Sequence, residues 1–290
     1  METKQLGTTE QDLALAGELL RQGQLVAFPT ETVYGLGADA LNETAVAQIY
    51  AAKGRPSDNP LIVHVAEKAD IAPLVREIPE KAKKLFDRFF PGPLTVILPK
   101  SDKIGKVVSG GLDTVAVRMP ENPVAHRLLQ LAGVPVAAPS ANTSGLPSPT
   151  RAKYVQEDMN GKIAAIVDGG DCAYGVESTV ITLATPTPTL LRPGAVTKEM
   201  LEAEIGPIAV APAVLEKMAD GETAASPGMK YKHYAPKAQV ILVNGDSAAY
   251  AAFVNSQPGC YALCYEEDRV TVPKVPYGKA TDDLSQAREL

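Results

Sequence analysis

The chain has 290 residues, of which 45% are hydrophobic and 21% are charged, and its formal net charge is −6. This length suits one large domain and a smaller one, and the acidic balance argues against non-specific nucleic-acid binding, which needs clustered Lys and Arg. No apolar run is long enough to cross a bilayer, and residues 1–11 carry no hydrophobic signal segment. We therefore expect a cytoplasmic protein without membrane association.

Helix and strand patterns alternate along the larger part of the chain. Helices are predicted at 11–22, 43–53, 79–90, from Pro123 onward, and at 199–204. Strands are predicted at 25–28, 61–65, 94–98, 114–118, 134–138, 164–167, 179–183 and 189–191. Helices between strands indicate an α/β fold, and adjacent strands late in this region indicate a mixed sheet. Residues 1–205 are predicted to form one α/β domain with a twisted parallel and antiparallel sheet.

The chain changes character after residue 205. Residues 206–236 are rich in proline and small residues, which predicts a linker with a short helix at 214–218. A βαβ-like pattern follows, with a strand at 239–243, a helix at 247–254 and a strand at 261–264. Residues 237–290 are predicted to form a small α/β domain. We expect it to be incomplete, because about fifty residues are few for an independent core.

Several common site signatures are absent from the sequence. There is no Gly-x-x-x-x-Gly-Lys-Ser/Thr phosphate loop, no dinucleotide fingerprint and no Gly-x-Ser-x-Gly nucleophile elbow. Cys172, Cys260 and Cys264 form no disulfide framework and have no second Cys/His pair to complete a zinc site. We expect buried thiols, and no metal ligands are predicted among the protein side chains.

Four polar segments are the candidates for chemistry. The first, residues 29–37, has hydroxyls and two glycines between a strand and a helix, so it either binds a small polar ligand or is an ordinary connection. The second holds Lys53 and Arg55, which suit a triphosphate but also suit the dipole at a helix C-terminus. His64 follows on a strand, where a lone histidine is more often structural than catalytic.

The other two segments also lie beside strands. Residues 139–145 combine short hydroxyls, an amide and a glycine, which form either an anion-binding nest or an ordinary turn. Residues 175–179 lead into a strand, Arg192 lies two strands later, and Arg118 ends a strand where its guanidinium can clamp a carboxylate. Together the four segments predict a polar, partly cationic cleft for an anionic ligand.

Taken together, these segments resemble the YrdC-like threonylcarbamoyl-AMP synthase family. The resemblance rests on Thr30–Leu36, Lys53–Pro56, Pro139–Asn142 and Glu177–Val180, in the order found in the family, and it covers roughly residues 13–194. Residues Ser226–Pro236 resemble the linker of the family's longer, two-domain form. The resemblance implies a twisted mixed α/β sheet around a concave pocket.

The resemblance also implies an activity, that of a nucleotidyltransferase. It implies that ATP, L-threonine and bicarbonate or CO2 react, with Mg2+, to threonylcarbamoyl-AMP and pyrophosphate. The product would pass to a separate tRNA threonylcarbamoyltransferase that modifies adenosine 37, so no direct tRNA binding is required.

Matching the family's motifs assigns a role to each candidate residue. Those implied to be catalytic, facing the nucleotide phosphates, are Lys53, Arg55, Ser140 and Asn142. Those implied to bind threonine are Thr32, His64, Arg118, Ala138 and Ser178, with Arg118 the partner of the carboxylate. Further nucleotide-side positions are Asn59, Thr114, Ser148 and Arg192, and either Tyr231 or Tyr234 is expected to close over ATP.

Other interpretations belong to different classes of protein. A non-catalytic RNA-binding protein would use the same concave surface, although the acidic balance disfavours it. A carbamoyl-transfer enzyme of the hydrogenase-maturation type carries acylphosphatase and zinc-binding modules that this chain lacks. A purely structural α/β protein leaves the coincidence of the motifs unexplained.

Overall fold

The computed structural model describes residues 2–57, 59–215 and 238–282, and the chain divides into two compact units, residues 1–235 and 236–290. The described strands of the first unit are β1 Lys4–Leu6, β2 Val26–Phe28, β3 Gly35–Asp39, β4 Ile62–His64, β5 Leu94–Pro99, β6 Thr114–Arg118, β7 Val136–Ala137, β8 Ala165–Val167, β9 Thr179–Thr182, β10 Thr189–Arg192 and β11 Ala209–Val210. Its described helices are α1 Glu10–Arg21, α2 Glu43–Lys53, α3 Glu80–Phe89, α4 Lys106–Ser109, α5 Pro123–Ala132, α6 Ala152–Met159, α7 Lys198–Ile205 and α8 Pro212–Leu215, with a 3-10 helix at Lys68–Leu74.

These strands form one sheet in the order β1-β8-β2-β3-β7-β4-β6-β5-β9-β10-β11. Strand β2 runs parallel to β8, β4 to β6 and β5 to β9, whereas β3 pairs antiparallel with β2 and β7. The predicted mixed α/β sheet is therefore confirmed.

Among the described residues, two large hydrophobic clusters and a smaller one cover the faces of this sheet. Helices α1 and α5 bury Leu13, Leu20 and Leu128 with Val26 and Phe28 on one face. Helices α2, α3, α6 and α7 contribute to a larger cluster on the other face, which also contains the intervening β2 residue Ala27. Because neighbouring residues of a strand point to opposite faces, a short fully apolar strand such as β2 serves both cores.

The helix ends follow the expected local chemistry. Asn42 caps α2 by accepting a hydrogen bond from the Ala45 amide, and Gly54 ends the helix in the left-handed conformation with φ of 61°. This turn starts the loop that carries Arg55.

Strand β3 corrects one expectation, because residues 29–37 were interpreted as a loop leading into a helix. Its sequence, Gly-Leu-Gly-Ala-Asp, has low strand propensity. A Cβ atom on Gly37 would lie 2.8 Å from Val136 Cγ1 and 2.9 Å from the Phe28 ring. Close packing between strands therefore requires glycine here, and tertiary structure overrides propensity.

The predicted linker also begins differently. Strand β11 pairs in parallel with β10, so the first part of the segment 206–236 belongs to the sheet of the first unit. Helix α8 lies at the start of the predicted short helix at 214–218, and the rest of the linker lies outside the described residues. Strand β1 and helix α6 were not predicted; β1 has only three residues, whereas α6 buries Ala152, Val155 and Met159 at helical spacing.

The described part of the second unit contains α9 Ser247–Asn255 and two parallel strands, β12 Ala262–Cys264 and β13 Lys274–Pro276. The predicted helix and the strand at 261–264 are confirmed. The predicted strand at 239–243 is wrong, because these residues pair with no strand in the described part of the chain, and Leu242 is 85% exposed. An apolar run becomes a strand only where a neighbour offers hydrogen bonds. Among the described residues, no helix combines the length and apolarity that crossing a bilayer requires.

Candidate active site

A cavity of about 200 Å³ lies where several strands of the first unit's sheet end. His64 and Arg118 are the last residues of the neighbouring parallel strands β4 and β6, and the two residues are partners in the strand register. Ala138 follows β7, Ser178 precedes β9, and Arg192 ends β10. The lining residues are Thr30, Thr32, Val33, Gly35, Arg55, Ile62, His64, Arg118, Ala138, Pro139, Ser140, Glu177, Ser178 and Arg192.

The sheet thus brings together all five residues predicted to hold threonine. Of the residues predicted to be catalytic or to bind the nucleotide, Arg55, Ser140 and Arg192 also line this cavity. Among the described residues of this wall, the charged groups are three arginines and one carboxylate, that of Glu177, so the cavity suits an anionic ligand.

Arg118 is held by three groups around its guanidinium. Nη2 forms a buried ion pair with Glu31 Oε1 at 2.6 Å, and Nη1 donates to Thr32 Oγ1 at 2.9 Å. Nε donates to the Gly92 carbonyl at 3.4 Å. The guanidinium is therefore oriented before any ligand binds.

The Thr32 hydroxyl belongs to a short chain of hydrogen bonds. It lies 2.9 Å from Thr30 Oγ1, and Thr30 in turn donates to the Val33 carbonyl at 2.6 Å. Both side chains are buried. These contacts give the first motif a defined turn, with one hydroxyl directed at Arg118.

Ser178 is fixed from both sides. Its hydroxyl lies 2.7 Å from Thr95 Oγ1 and accepts a hydrogen bond from Arg192 Nη2 at 3.1 Å. Arg192 Nε also donates to the Ser178 carbonyl at 2.9 Å. Arg192 therefore supports the serine as well as contributing charge to the cavity wall.

His64 is neutral in this site. Burial, with the nearby charge of Arg118, lowers the pKa of His64 to about 3. Its ring packs edge-on against Phe28, and its Nδ1 atom has no hydrogen-bond partner in the part of the chain that the structure describes. The imidazole can therefore form a hydrogen bond with a ligand without adding a positive charge to the cavity.

Lys53 lies behind the cavity rather than in its wall. Its ammonium donates to the carbonyls of Ser140 and Asn142, the second at 2.6 Å, and lies 3.5 Å from Asn142 Oδ1. Burial, together with the charge of Arg55, lowers the pKa of Lys53 to about 7, whereas the three oxygen acceptors favour the charged form. The residue stabilises the loop that presents Ser140.

Asn142 completes that loop and also does not line the cavity. It accepts from Ser140 Oγ at 2.6 Å and donates to the carbonyls of Thr143 and Leu146. Of the four residues predicted to be catalytic, two thus lie in the cavity wall and two lie behind it, Lys53 at the end of α2 and Asn142 in the loop. Their roles in catalysis stay a prediction.

The remaining nucleotide-side residues are more dispersed. Ser148 donates to Glu177 Oε1 at 2.6 Å, next to the cavity. Asn59 is buried, and its Oδ1 atom has no partner among the described residues. Thr114 begins β6, at the opposite end of that strand from Arg118 and roughly 13 Å along it. Tyr231 and Tyr234 lie outside the described residues.

Sequence reasoning included two acidic residues of the site in its motifs but assigned them no role. Glu177 lines the cavity, and Glu31 anchors Arg118 from outside the wall. The sequence could have indicated a buried ion pair at Glu31, because this carboxylate follows shortly after the apolar strand β2 and its neighbours in sequence are uncharged. Such a residue needs a buried partner.

Comparison with known proteins agrees with this geometry. The Sua5/YciO/YrdC family model, described as "Telomere recombination", matches residues 18–194. A second model, described as "Threonylcarbamoyl-AMP synthase, C-terminal domain", matches residues 196–288. The chain belongs to the Sua5/YciO/YrdC family. The resemblance inferred from the motifs is confirmed.

Similar members of this family carry related names. A threonylcarbamoyl-AMP synthase of Pyrococcus abyssi is 56% identical over 236 residues, which is 81% of this chain and 69% of that protein. One of Bacillus subtilis is 54% identical over 244 residues, covering 84% and 70% of the two chains. A crystal structure of P. abyssi Sua5 complexed with L-threonine matches with a TM-score of 0.89 and 46% identity, covering 99% of this chain and 86% of that one.

Proposed function

We propose that this chain is a threonylcarbamoyl-AMP synthase, a nucleotidyltransferase that converts ATP, L-threonine and bicarbonate or CO2 to threonylcarbamoyl-AMP and pyrophosphate. The observation that carries the proposal is the oriented Arg118 guanidinium, which shares one cavity with two further arginines. The names of the similar proteins, and the L-threonine bound to the P. abyssi protein, support it.

The two substrates would occupy two ends of the cavity. The threonine end consists of Thr32, His64, Arg118, Ala138 and Ser178, where Arg118 is the partner for the amino-acid carboxylate. The phosphate end consists of Arg55, Ser140 and Arg192, with Lys53 and Asn142 behind them. Asn59, Thr114 and Ser148 remain proposed nucleotide-side residues, as do Tyr231 and Tyr234.

The chemistry needs positioning more than it needs a protein nucleophile. The neutral amine of threonine attacks CO2, or bicarbonate with loss of water, and forms a carbamate. A carbamate oxygen then attacks the α-phosphorus of ATP, and pyrophosphate leaves with the electron pair of the broken P–O bond. A neutral His64 beside the positive Arg118 favours the uncharged amine, and Arg55 and Arg192 offset charge on the leaving group.

Magnesium would accompany ATP. Among the described residues, no group of three or more His, Cys, Asp or Glu side chains could hold a metal ion. Mg2+ commonly needs only one or two carboxylates in addition to substrate phosphates, and Glu177 in the cavity wall fits that pattern. When bound, the ion would neutralise phosphate charge during pyrophosphate departure.

The product is an adenylate that water would hydrolyse. We propose that it passes to a separate cytoplasmic tRNA threonylcarbamoyltransferase, which modifies adenosine 37, so that this chain need not bind tRNA itself. The net charge of −6 agrees with this division of labour.

The test is pyrophosphate release by the purified chain with ATP, L-threonine, bicarbonate and Mg2+, omitting each in turn without tRNA. The proposal expects release only when all are present, with threonylcarbamoyl-AMP detected by mass spectrometry. Release that ignores threonine or bicarbonate, or no release from folded protein, would contradict it. Steeply salt-dependent tRNA binding without release would favour the RNA-binding alternative.

A further inference from the structure

Glu31 is buried beside the cavity, but it is not one of the residues that line it. Its side chain is 6% exposed, and it forms the 2.6 Å ion pair with Arg118 through Oε1. Its second oxygen, Oε2, accepts hydrogen bonds from the backbone amides of Glu121 at 3.1 Å and Asn122 at 3.4 Å. The carboxylate therefore joins Arg118 to the start of helix α5.

This arrangement leaves the guanidinium partly available to a ligand. Arginine has five N–H donors in a planar fork, and three of those of Arg118 are directed at Glu31, Thr32 and Gly92. The other two have no partner among the described residues, and because Arg118 lines the cavity we infer that they are available to a carboxylate there. Because the fork is planar and rigid, the position of the committed donors determines the direction of the remaining two.

Glu31 itself has little freedom to move. A buried carboxylate is expensive unless it is paired and hydrogen-bonded, and both of its oxygens are engaged here. Asn122 additionally caps α5 by accepting hydrogen bonds from the amides of Val124 and Ala125. The N-terminal end of α5 is thus a fixed support for the carboxylate.

We propose that Glu31 is a positioning residue that acts through Arg118 and sets the affinity for the carboxylate of the amino-acid substrate. The proposal rests on the proposed function, in which Arg118 binds threonine. Glu31 touches neither substrate. It transmits the position of α5 to the guanidinium and balances its charge when the cavity is empty.

A double-mutant cycle tests this role. Glu31→Gln preserves the volume of the side chain but removes its charge, and it directs an NH2 group at either the guanidinium or the α5 amides. The KM for threonine should rise at least about tenfold, whereas the KM for ATP should change less than about twofold. In an Arg118→Ala background, Glu31→Gln should change the threonine KM by less than about twofold, because the residue it acts through is gone.

Three outcomes would overturn the proposal. These are an unchanged threonine KM in Glu31→Gln, equal increases in both KM values, or full additivity with Arg118→Ala. Thr3→Val is the control for loss of a buried hydrogen bond. Thr3 lies away from the cavity, and its hydroxyl donates to the Ile163 carbonyl at 2.7 Å. It should lower the melting temperature without a change in threonine KM.

A second variant and a second measurement separate this proposal from the proposed function. Where Glu31→Gln does not fold, Glu31→Asp is measured instead, because the shorter side chain reaches Arg118 or the α5 amides but not both. Threonine binding is titrated calorimetrically without ATP. If the wild type binds threonine but releases no pyrophosphate, the proposed reaction is wrong. Weaker threonine binding by the Glu31 variant would then still support the positioning role of Glu31. A wild type that binds threonine neither alone nor in the presence of ATP would overturn both.

Discussion

The proposed threonine end and the proposed phosphate end of the cavity are built from different kinds of structure. At the threonine end, His64 and Arg118 lie on paired parallel strands, and Ser178 directly precedes a third strand. At the phosphate end, Arg55 follows the left-handed Gly54 and Ser140 lies in a loop that Lys53 and Asn142 support. The difference teaches that strand ends fix His64 and Arg118, whereas Arg55 and Ser140 depend on polar contacts within loops.

The largest effect is expected at the threonine end. Arg118→Ala leaves Glu31 as a buried carboxylate without its partner, which costs about 3–5 kcal/mol of folding free energy. The threonine KM should rise far more than the ATP KM, because the carboxylate partner is lost. Denaturant unfolding and steady-state pyrophosphate release measure the two effects. Equal increases in both KM values would count against the division of the cavity.

Arg55→Ala should give the opposite selectivity. Loss of a charge-assisted contact to phosphate costs about 2–4 kcal/mol of transition-state stabilisation. The threonine KM should stay within about twofold, since the threonine end does not use this residue. The same assay measures it, with Arg55→Lys as the matched control that retains a charge. A variant that loses threonine selectively would reverse the assignment of the two ends.

Lys53→Met tests the support of the phosphate-end loop. The substitution leaves the carbonyls of Ser140 and Asn142 without their buried donor, at a cost of about 2–3 kcal/mol. The ATP KM should rise because Ser140 loses its position, while threonine binding stays normal. Thermal unfolding and kinetics check this together. An unchanged melting temperature with lost turnover would instead indicate direct contact of Lys53 with ATP.

The smallest effect is a dependence of stability on pH at the threonine end. The pKa of His64 is about 3 in the folded chain and near 6.5 when unfolded, so the unfolded state binds the proton more readily. Stability is therefore complete above about pH 6.5 and falls as the pH decreases toward 3, by about 2 kcal/mol at pH 5. Urea unfolding at pH 7, 6 and 5 measures this fall. His64→Asn should lack this component, and an identical pH dependence in the variant would exclude His64 as its source.

The difference between strand ends and loops also explains which site residues could be located from the sequence. Periodicity located β4, β6 and β9, and hence His64, Arg118 and Ser178 beside strand ends. It did not locate β3, whose glycines are required by packing against Val136 and Phe28. It could not place Lys53 behind the Ser140 loop either, since that arrangement depends on carbonyl acceptors that are distant in sequence.

The second unit shows a further limit of local patterns. The apolar run at 239–243 has the composition of a strand but pairs with none in the described part of the chain. Strand β13 contains a proline and was not predicted, yet it pairs with β12. Pairing is decided by neighbours in space, which sequence periodicity does not record.

The most direct test of the preformed threonine end is a calorimetric titration of the wild-type chain with L-threonine in the absence of ATP. We predict saturable binding, which Arg55→Ala retains and Arg118→Ala strongly weakens. Threonine binding that requires ATP, or that survives Arg118→Ala unchanged, would contradict the claim that the sheet builds this end before the nucleotide arrives.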